Sequence, residues 1–253
     1  WHVDPLRAYN TFGALAHHFE AQPNEFFHQI LPFTKMVPSE YTAQMREIQI
    51  QRERKHRAYL SKVPFSDLKV FETILSRLPQ KAMLQISNSS AIRYAQLFDI
   101  DHAISVFCNR GTSGIDGSTS TAIGAATQRQ EPTVLITGDI SFLYDSNALW
   151  NNYIPKNFKI ILINNGGGGI FRILPGHQEN KVFHTYFETE HQLTGEHLAK
   201  MFGFNYLTAH NENELIVQTK QLFNQNEKPT ILEVFTPAHE NDKILLQYFK
   251  ELA

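Results

Sequence analysis

The sequence predicts an α/β fold, a mostly parallel sheet with helices on both faces. Three observations lead to it. Beyond residue 80, short apolar runs rich in β-branched residues recur at 82–86, 104–108, 133–137, 159–163, 204–208 and 230–235. Helix-like stretches separate them, near 90–98, 117–130, 143–152, 195–202, 212–225 and 239–250. The runs are continuously apolar and do not alternate, as expected of strands buried on both faces of a parallel sheet.

The part before residue 80 reads differently. Residue 1 is Trp, and the first 35 residues hold a helical patch but no strand-turn-helix order, so 1–35 is expected to be the tail of a preceding central domain. The stretch 39–62 is polar and strongly helix-forming. Ser66 and Asp67 can cap a second helix that runs to Leu78, where Pro79 stops it. Residues 36–80 are therefore expected to be linking helices, and 81–253 the principal domain.

Composition narrows the classes of function. With 253 residues and 42% hydrophobic content the chain can bury a full core. The net charge is −2, and the basic segment RERKHR at 52–57 reads as one solvated helix face, so no nucleic-acid footprint is expected. No apolar stretch approaches the roughly 20 residues of a membrane span. The single cysteine, Cys108, excludes an internal disulfide framework and fits a reducing compartment, which makes the cytoplasm the expected location. Placed at the end of an apolar run, Cys108 is expected to be a buried strand residue.

In parallel α/β sheets, ligands bind beyond the carboxyl ends of the strands near a switch in strand order. The turns there are unusual. The first reads Ser87-Asn88-Ser89-Ser90, with Arg93 one helical turn on; the second runs from Asn109 and Arg110 through Gly111 to Gly117. The third is Gly138-Asp139-Ile140-Ser141, and the fourth is Asn164-Asn165 followed by Gly166 to Gly169.

Asp139 and Asn165 lie 26 positions apart, the length of one helix plus one strand, which sends both from adjacent strand ends into one crevice. A carboxylate and an amide oxygen are hard ligands. Mg²⁺ prefers six oxygens and commonly takes one or two carboxylates together with phosphate oxygens, so Asp139, Asn165 and a backbone carbonyl, for which Gly167 is the candidate, leave room for a diphosphate. Glycines let the main chain come close to a ligand, and the 138–141 turn opens a helix whose N–H groups can receive phosphate.

With these residues in place, the segment GDISFLYDSNALWNNYIPKNFKIILINN resembles the diphosphate-binding domain of thiamine-diphosphate enzymes, marked by Gly-Asp and, some 25 residues on, Asn-Asn. Ile140 departs from the usual Gly-Asp-Gly. NSSAIR at 88–93, SVFCNRGTSGIDGSTSTAIGAA at 105–126 and NNGGGGIF at 164–171 are similar to the 2-succinyl-5-enolpyruvyl-6-hydroxy-3-cyclohexene-1-carboxylate synthase family of the menaquinone pathway. The likeness is specific over about residues 80–175, looser to the C-terminus, and slight before residue 80.

The resemblance implies thiamine diphosphate as cofactor, with Mg²⁺ or Mn²⁺, and an enzyme that decarboxylates 2-oxoglutarate and adds the resulting succinyl-semialdehyde carbanion to isochorismate. Arg93 and Arg110 match substrate-facing arginines, suited to carboxylates, with Ser89 as a neutral donor beside them. Ile115 matches the apolar residue that props the cofactor into a bent shape. Ile170 and Phe171 match residues lining the same site, and Ser113, Gly114, Gly138, Ile140 and Ser141 fall in the cofactor-binding turns.

The activating glutamate of the family belongs to an N-terminal pyrimidine-binding domain, commonly from a partner subunit. The chain is therefore expected to be the C-terminal part of the synthase, inactive alone, within a homodimer or homotetramer. Two alternatives stand beside this reading: another thiamine-diphosphate enzyme, such as a 2-oxoacid decarboxylase or acetohydroxyacid synthase, and a non-catalytic phosphate-binding module, which the lack of GxGxxG and GxxxxGK[ST] disfavours. The aromatic stretch 171–192 is expected to be a long loop and a candidate lid, His184 and His191 in it solvated, and Glu188 and Glu190 without a reason to titrate abnormally.

Overall fold

The computed structural model describes residues 1–178 and 180–253. The chain divides into two compact units, Trp1–Gln51 and Arg52–Ala253. In the first, strand β1 (His2–Val3) pairs in parallel with β2 (His18–Phe19), and the rings of Trp1 and Phe19 meet edge-on at 5.3 Å. Helix α1 (Pro23–Ile30) follows and buries none of its residues. Helix α2 (Tyr41–Leu60) crosses the boundary; its 52–57 segment is almost wholly exposed, as a solvated face should be, and only Tyr59 and Leu60 are buried.

The second unit opens with α3 (Asp67–Leu75), where the Ser66 side chain accepts the Lys69 amide, the cap expected from Ser66 and Asp67. Then come β3 (Met83–Ile86), α4 (Ser90–Ala95), β4 (Ser105–Cys108), α5 (Ser118–Ala126), β5 (Thr133–Gly138), α6 (Asp139–Tyr144) and β6 (Phe158–Asn164). The chain ends through α7 (Glu196–Met201), β7 (Asn205–Ala209), α8 (Glu212–Asn224), β8 (Thr230–Phe235) and α9 (Asn241–Leu252). Among the described residues these strands form a six-stranded, wholly parallel sheet in the order β4-β3-β5-β6-β8-β7.

Period-two side-chain alternation splits each central strand between two cores. Ile136, Ile161, Ile163, Leu232 and Val234 face one core, which α3, α4, α8 and α9 complete; Leu135, Ile160, Leu162 and Ile231 face the other, with α5 and α6 supplying Ile123 and Phe142. This accounts for continuous apolar runs. β6 is buried at every residue, Lys159 included, whose ammonium donates to the carbonyls of Lys156, Gln225 and Lys228; burial brings its pKa down to about 8.

Two local expectations need correction. Edge strand β4 is not covered on both faces: Val106 and Phe107 are 42% and 48% exposed, and Cys108 is only partly buried. The helix expected at 143–152 instead spans Asp139–Tyr144 and gives way to a 3-10 turn at Ser146–Trp150. The reason is Asp145, whose buried carboxylate turns to accept the Ser120 N–H at 2.7 Å and the Ser120 hydroxyl at 2.5 Å. Among the described residues no helix is long and apolar enough to cross a membrane.

Ile161 is fully buried at the middle of β6, so Ile161→Ala is expected to lower the unfolding free energy by about 2–5 kcal/mol. The same truncation at Val217 on α8, 62% exposed, should stay within about 0.5 kcal/mol. Urea unfolding followed by circular dichroism distinguishes the two.

Candidate active site

The strand order reverses about β3: the chain leaves it for β4 on one side and returns to β5 on the other. The turns that follow β3, β5 and β6 therefore meet at one crevice, as switch-point geometry requires. They surround a cavity of about 260 Å³ lined by Ser89, Ile115, Gly138 to Ser141, Asn165, Gly167, Ile170 and Phe171. Most of the residues singled out from the sequence are thus brought together.

At the polar end of the cavity stands Asp139, 4% exposed at the start of α6. Its Oδ2 accepts the N–H groups of Gly166 at 2.9 Å and Gly167 at 3.1 Å, and Oδ1 accepts that of Ile140 at 2.7 Å. A carboxylate has about four lone-pair sites, so acceptor capacity remains on Oδ1. Because Gly138 pairs with Ile163 across β5 and β6, Asp139 and the 164–167 turn leave the sheet side by side. That register makes the contact possible.

Asn165 donates its amide N–H to Asp67 Oδ2 at 2.9 Å, which leaves the amide oxygen as its free-facing acceptor type. Asp67 is itself buried, its Oδ1 accepting the Thr236 hydroxyl at 2.6 Å and its backbone N–H donating to Asn241 Oδ1 at 2.8 Å. Burial pushes the Asp67 carboxyl up to about 6; the bonds from Thr236 and Asn165 oppose the shift, and the nearby Asp139 adds to it. The Gly167 carbonyl accepts the Gly169 N–H at 3.0 Å and keeps a second lone pair, so hard oxygens of Asp139, Asn165 and Gly167 are of the types that fit Mg²⁺ with a diphosphate.

Two glycines of the run also serve a purpose the sequence did not reveal. Gly167 has φ +152°, and a Cβ there would lie 2.8 Å from the Glu188 carbonyl oxygen; at Gly168 it would meet the Phe187 and Glu188 carbonyls at 3.2 and 3.3 Å. These glycines admit the 187–189 backbone, to which Gly168 N–H donates at 2.6 Å. The helix N-terminus is also less open than expected: α6 is six residues long and Asp139 occupies the Ile140 N–H.

Glu188, 3% exposed, pairs with the buried Arg172 guanidinium and accepts from His184 Nδ1 at 2.8 Å, while Glu190 lies 3.4 Å from Arg172 and 3.3 Å from His184. A cation already fills the centre of this acidic group. It anchors the stretch whose Tyr186, Phe187, Glu188 and Thr189 line the cavity, part of it a π-helical turn at Phe183–Glu188, and Phe171 on the 3-10 turn at Gly169–Ile173 lines it as well. His191 is not a solvated loop residue: its ring is tucked against Asp139, Nε2 3.3 Å from Oδ2, and that carboxylate raises its pKa.

Other predicted residues stand apart from the main cavity. Arg93 donates to the Ser89 carbonyl at 2.9 Å and lines a smaller adjoining hollow with Asp67 and Asn165. The exposed Arg110 donates to Asn88 Oδ1, and Asn88 donates to the Ser113 carbonyl, so this loop is tied to the β3 turn through Asn88. Ser113 and Gly114 do not line the cavity, whereas the Ile115 carbonyl accepts the Ser141 hydroxyl at 2.5 Å. Asp67, Asn88, Glu188 and His191 are the residues sequence reasoning missed. Asp67 reads in the sequence as a helix cap, Glu188 and His191 as loop residues, and Asn88 alone sits in a strand-end turn.

The fold and this site define a class, and the chain belongs to it: residues 88–234 match the thiamine pyrophosphate enzymes, in their C-terminal TPP binding domain. Among curated proteins it is similar to the 2-succinyl-5-enolpyruvyl-6-hydroxy-3-cyclohexene-1-carboxylate synthases of Flavobacterium johnsoniae, 65% identical over 252 residues, and Flavobacterium psychrophilum, 62% identical over 252. It is 49% identical over 249 residues to that of Christiangramia forsetii. All, or in the last case 98%, of this chain is matched, yet it spans only 46%, 46% and 43% of those proteins, somewhat less than half their length.

Two outcomes follow. Gly167→Ala is expected to lose about 1–3 kcal/mol of stability, from a strained φ and the clash with Glu188. The same change at Gly124, where a Cβ meets open space in α5, should gain up to about 1 kcal/mol, and denaturant titration reads both signs. For Asp67, a folded pKa of about 6 above the ordinary 3.8 makes its contribution fully present below pH 3.8 and lost as pH rises through 6, by up to ~3 kcal/mol. In metal-free buffer, Asp67→Asn should flatten that part of the stability–pH curve.

Proposed function

We propose that this chain is the C-terminal, diphosphate-holding part of a thiamine-diphosphate-dependent synthase that decarboxylates 2-oxoglutarate and adds the succinyl-semialdehyde unit to isochorismate in menaquinone biosynthesis. The observation that carries the proposal is that Asp139, Asn165 and Gly167 all line one cavity whose apolar walls include Ile115, Ile170 and Phe171. Likeness to three synthases named for that product supports the substrate assignment.

In this reading Asp139, Asn165 and the Gly167 carbonyl would hold Mg²⁺ or Mn²⁺ together with the diphosphate. Bound thiamine diphosphate supplies an electron sink for the carbanion left by decarboxylation. Ile115, which lines the cavity, would support the bound cofactor by packing alone, a role a polar side chain cannot fill without desolvation. Ile170 and Phe171, with Phe187 edge-on to Phe171 at 5.8 Å, keep water from the apolar wall.

Both substrates are anionic, and the two arginines fit that chemistry. Arg93 donates to the Ser89 carbonyl and Arg110 to Asn88, adjacent residues of the β3 turn, and a guanidinium there would suit a carboxylate in bidentate fashion. Ser89 occupies φ +71°, a strained conformation for a residue with a Cβ, as found where a side chain must be aimed. The activating glutamate is assigned to an N-terminal pyrimidine-binding domain, residues 1–35 to the tail of a central domain before residues 36–80, and the whole to a homodimer or homotetramer.

Carbon dioxide release from 2-oxoglutarate and from pyruvate by the full-length protein tests the reading. Arg93→Ala and Arg110→Ala should each lower kcat/KM for 2-oxoglutarate about 10–100-fold, with a much smaller effect on pyruvate. Unchanged preference for the dicarboxylate in both variants removes the basis for this substrate.

A further inference from the structure

Asp67 has no part in the site as read from the sequence, and it comes from a helix 98 residues before Asn165. It is 2% exposed, yet it carries a carboxyl group into the wall of the cavity. Burying such a group costs several kcal/mol, and no cation pairs with it among the described residues; its partners are Asn165, Thr236 and Asn241. An apolar residue at the start of α3 would serve packing better. What Asp67 does that an apolar residue does not is accept the Thr236 hydroxyl and the amide N–H of Asn165, and the second of these reaches a residue of the proposed metal site.

We infer that Asp67 is a positioning residue for the metal: by taking the Asn165 Nδ2–H at 2.9 Å it fixes which way the amide is turned and presents Oδ1, the hard ligand, toward Asp139 and the Gly167 carbonyl. The inference rests on the metal-diphosphate reading above. An amide turned by 180° offers the cation an NH₂ group, which is no ligand at all. Outer partners of metal ligands orient them in this way, and their loss commonly costs 10–100-fold in affinity.

Asp67 is well held for the task. Its Oδ1 is fixed by the Thr236 hydroxyl at 2.6 Å, just after β8, and its own N–H by Asn241 at the start of α9 at 2.8 Å. Asn241 in turn donates to Thr236 Oγ1 at 3.3 Å and to the Pro237 carbonyl at 3.0 Å. The Asn165 amide is thus referred to β8, α3 and α9, elements on the far side of the turn from Asp139.

The test measures Mn²⁺ affinity by electron paramagnetic resonance on the full-length protein saturated with thiamine diphosphate, with thermal midpoints alongside. Asp67→Leu, which removes the acceptor, should weaken Mn²⁺ about 10-fold or more. Asp67→Asn keeps an acceptor for Asn165 and can donate to Thr236, so it should retain affinity within about 3-fold, and Thr236→Val should lower the midpoint while moving Mn²⁺ affinity less than about 3-fold. Unchanged affinity in Asp67→Leu overturns the inference. So does an equal loss in Asp67→Asn, which would assign the effect to charge. If Asp139→Ala abolishes Mn²⁺ binding while the Asp67 variants do not weaken it, the metal site stands and only the positioning role falls; if the unaltered protein binds no Mn²⁺, both fall.

Discussion

The site depends on one contact across two strand ends, the Asp139 carboxylate receiving the backbone N–H groups of Gly166 and Gly167. This bond needs β5 and β6 to be neighbours in the observed register, because a slip of one residue would send Asp139 to the other face of the sheet. It also needs the 164–167 backbone to turn sharply after β6, with two successive residues at positive φ, 79° and 152°. Glycine is the residue that takes such values at little cost. Strand pairing, turn geometry and the placement of oxygen donors are therefore one constraint.

That constraint is buttressed from behind. Fully buried Glu233 on β8 accepts the Asn164 amide at 2.6 Å, the Gly195 N–H at 2.9 Å and the Tyr206 hydroxyl at 2.5 Å, and Asn164 Oδ1 accepts the Gly166 N–H at 3.1 Å. Burial and the Glu233 carboxylate together raise the Tyr206 pKa, so the phenol stays a donor. From above, Glu188 closes over the glycines, held by Arg172. The turn is clamped on the sheet side and on the loop side, which suits a site that must hold a cation's ligands within a few tenths of an ångström.

Local patterns in the sequence carry a good part of this. The six apolar runs place every strand of the large sheet to within a residue or two, because the central strands, buried on both faces, must be largely apolar, and the less buried edge strands β4 and β7 still carry an apolar run. Asp139, Asn165 and the glycines are legible because they sit at strand ends a fixed distance apart. Asp67 is not: its signal was that of an ordinary helix cap, and only the packing of α3 against the ends of β6 and β8 turns it toward Asn165. Glu188 looked like one of two loop carboxylates, since its partner Arg172 lies 16 residues away at no helical or strand spacing. The bend at Asp145 was hidden for the same reason, its partner Ser120 being 25 residues distant.

Four carboxylates, Asp67, Asp139, Glu188 and Glu233, are buried at the carboxyl end of the sheet, each less than 5% exposed. Only Glu188 faces a guanidinium; Asp67, Asp139 and Glu233 are held chiefly by N–H and O–H dipoles. Dipoles offset part of the desolvation cost but do not cancel charge, and Asp139 accordingly disfavours the ionised form of Asp67. A fold selected for stability alone gains by replacing such groups with apolar ones of like size. Asp67 and Asp139, which line the apolar-walled cavity and face no guanidinium, are what the cation of the proposed function requires: negative charge held in fixed geometry, costly to the fold by itself and relieved when that cation enters.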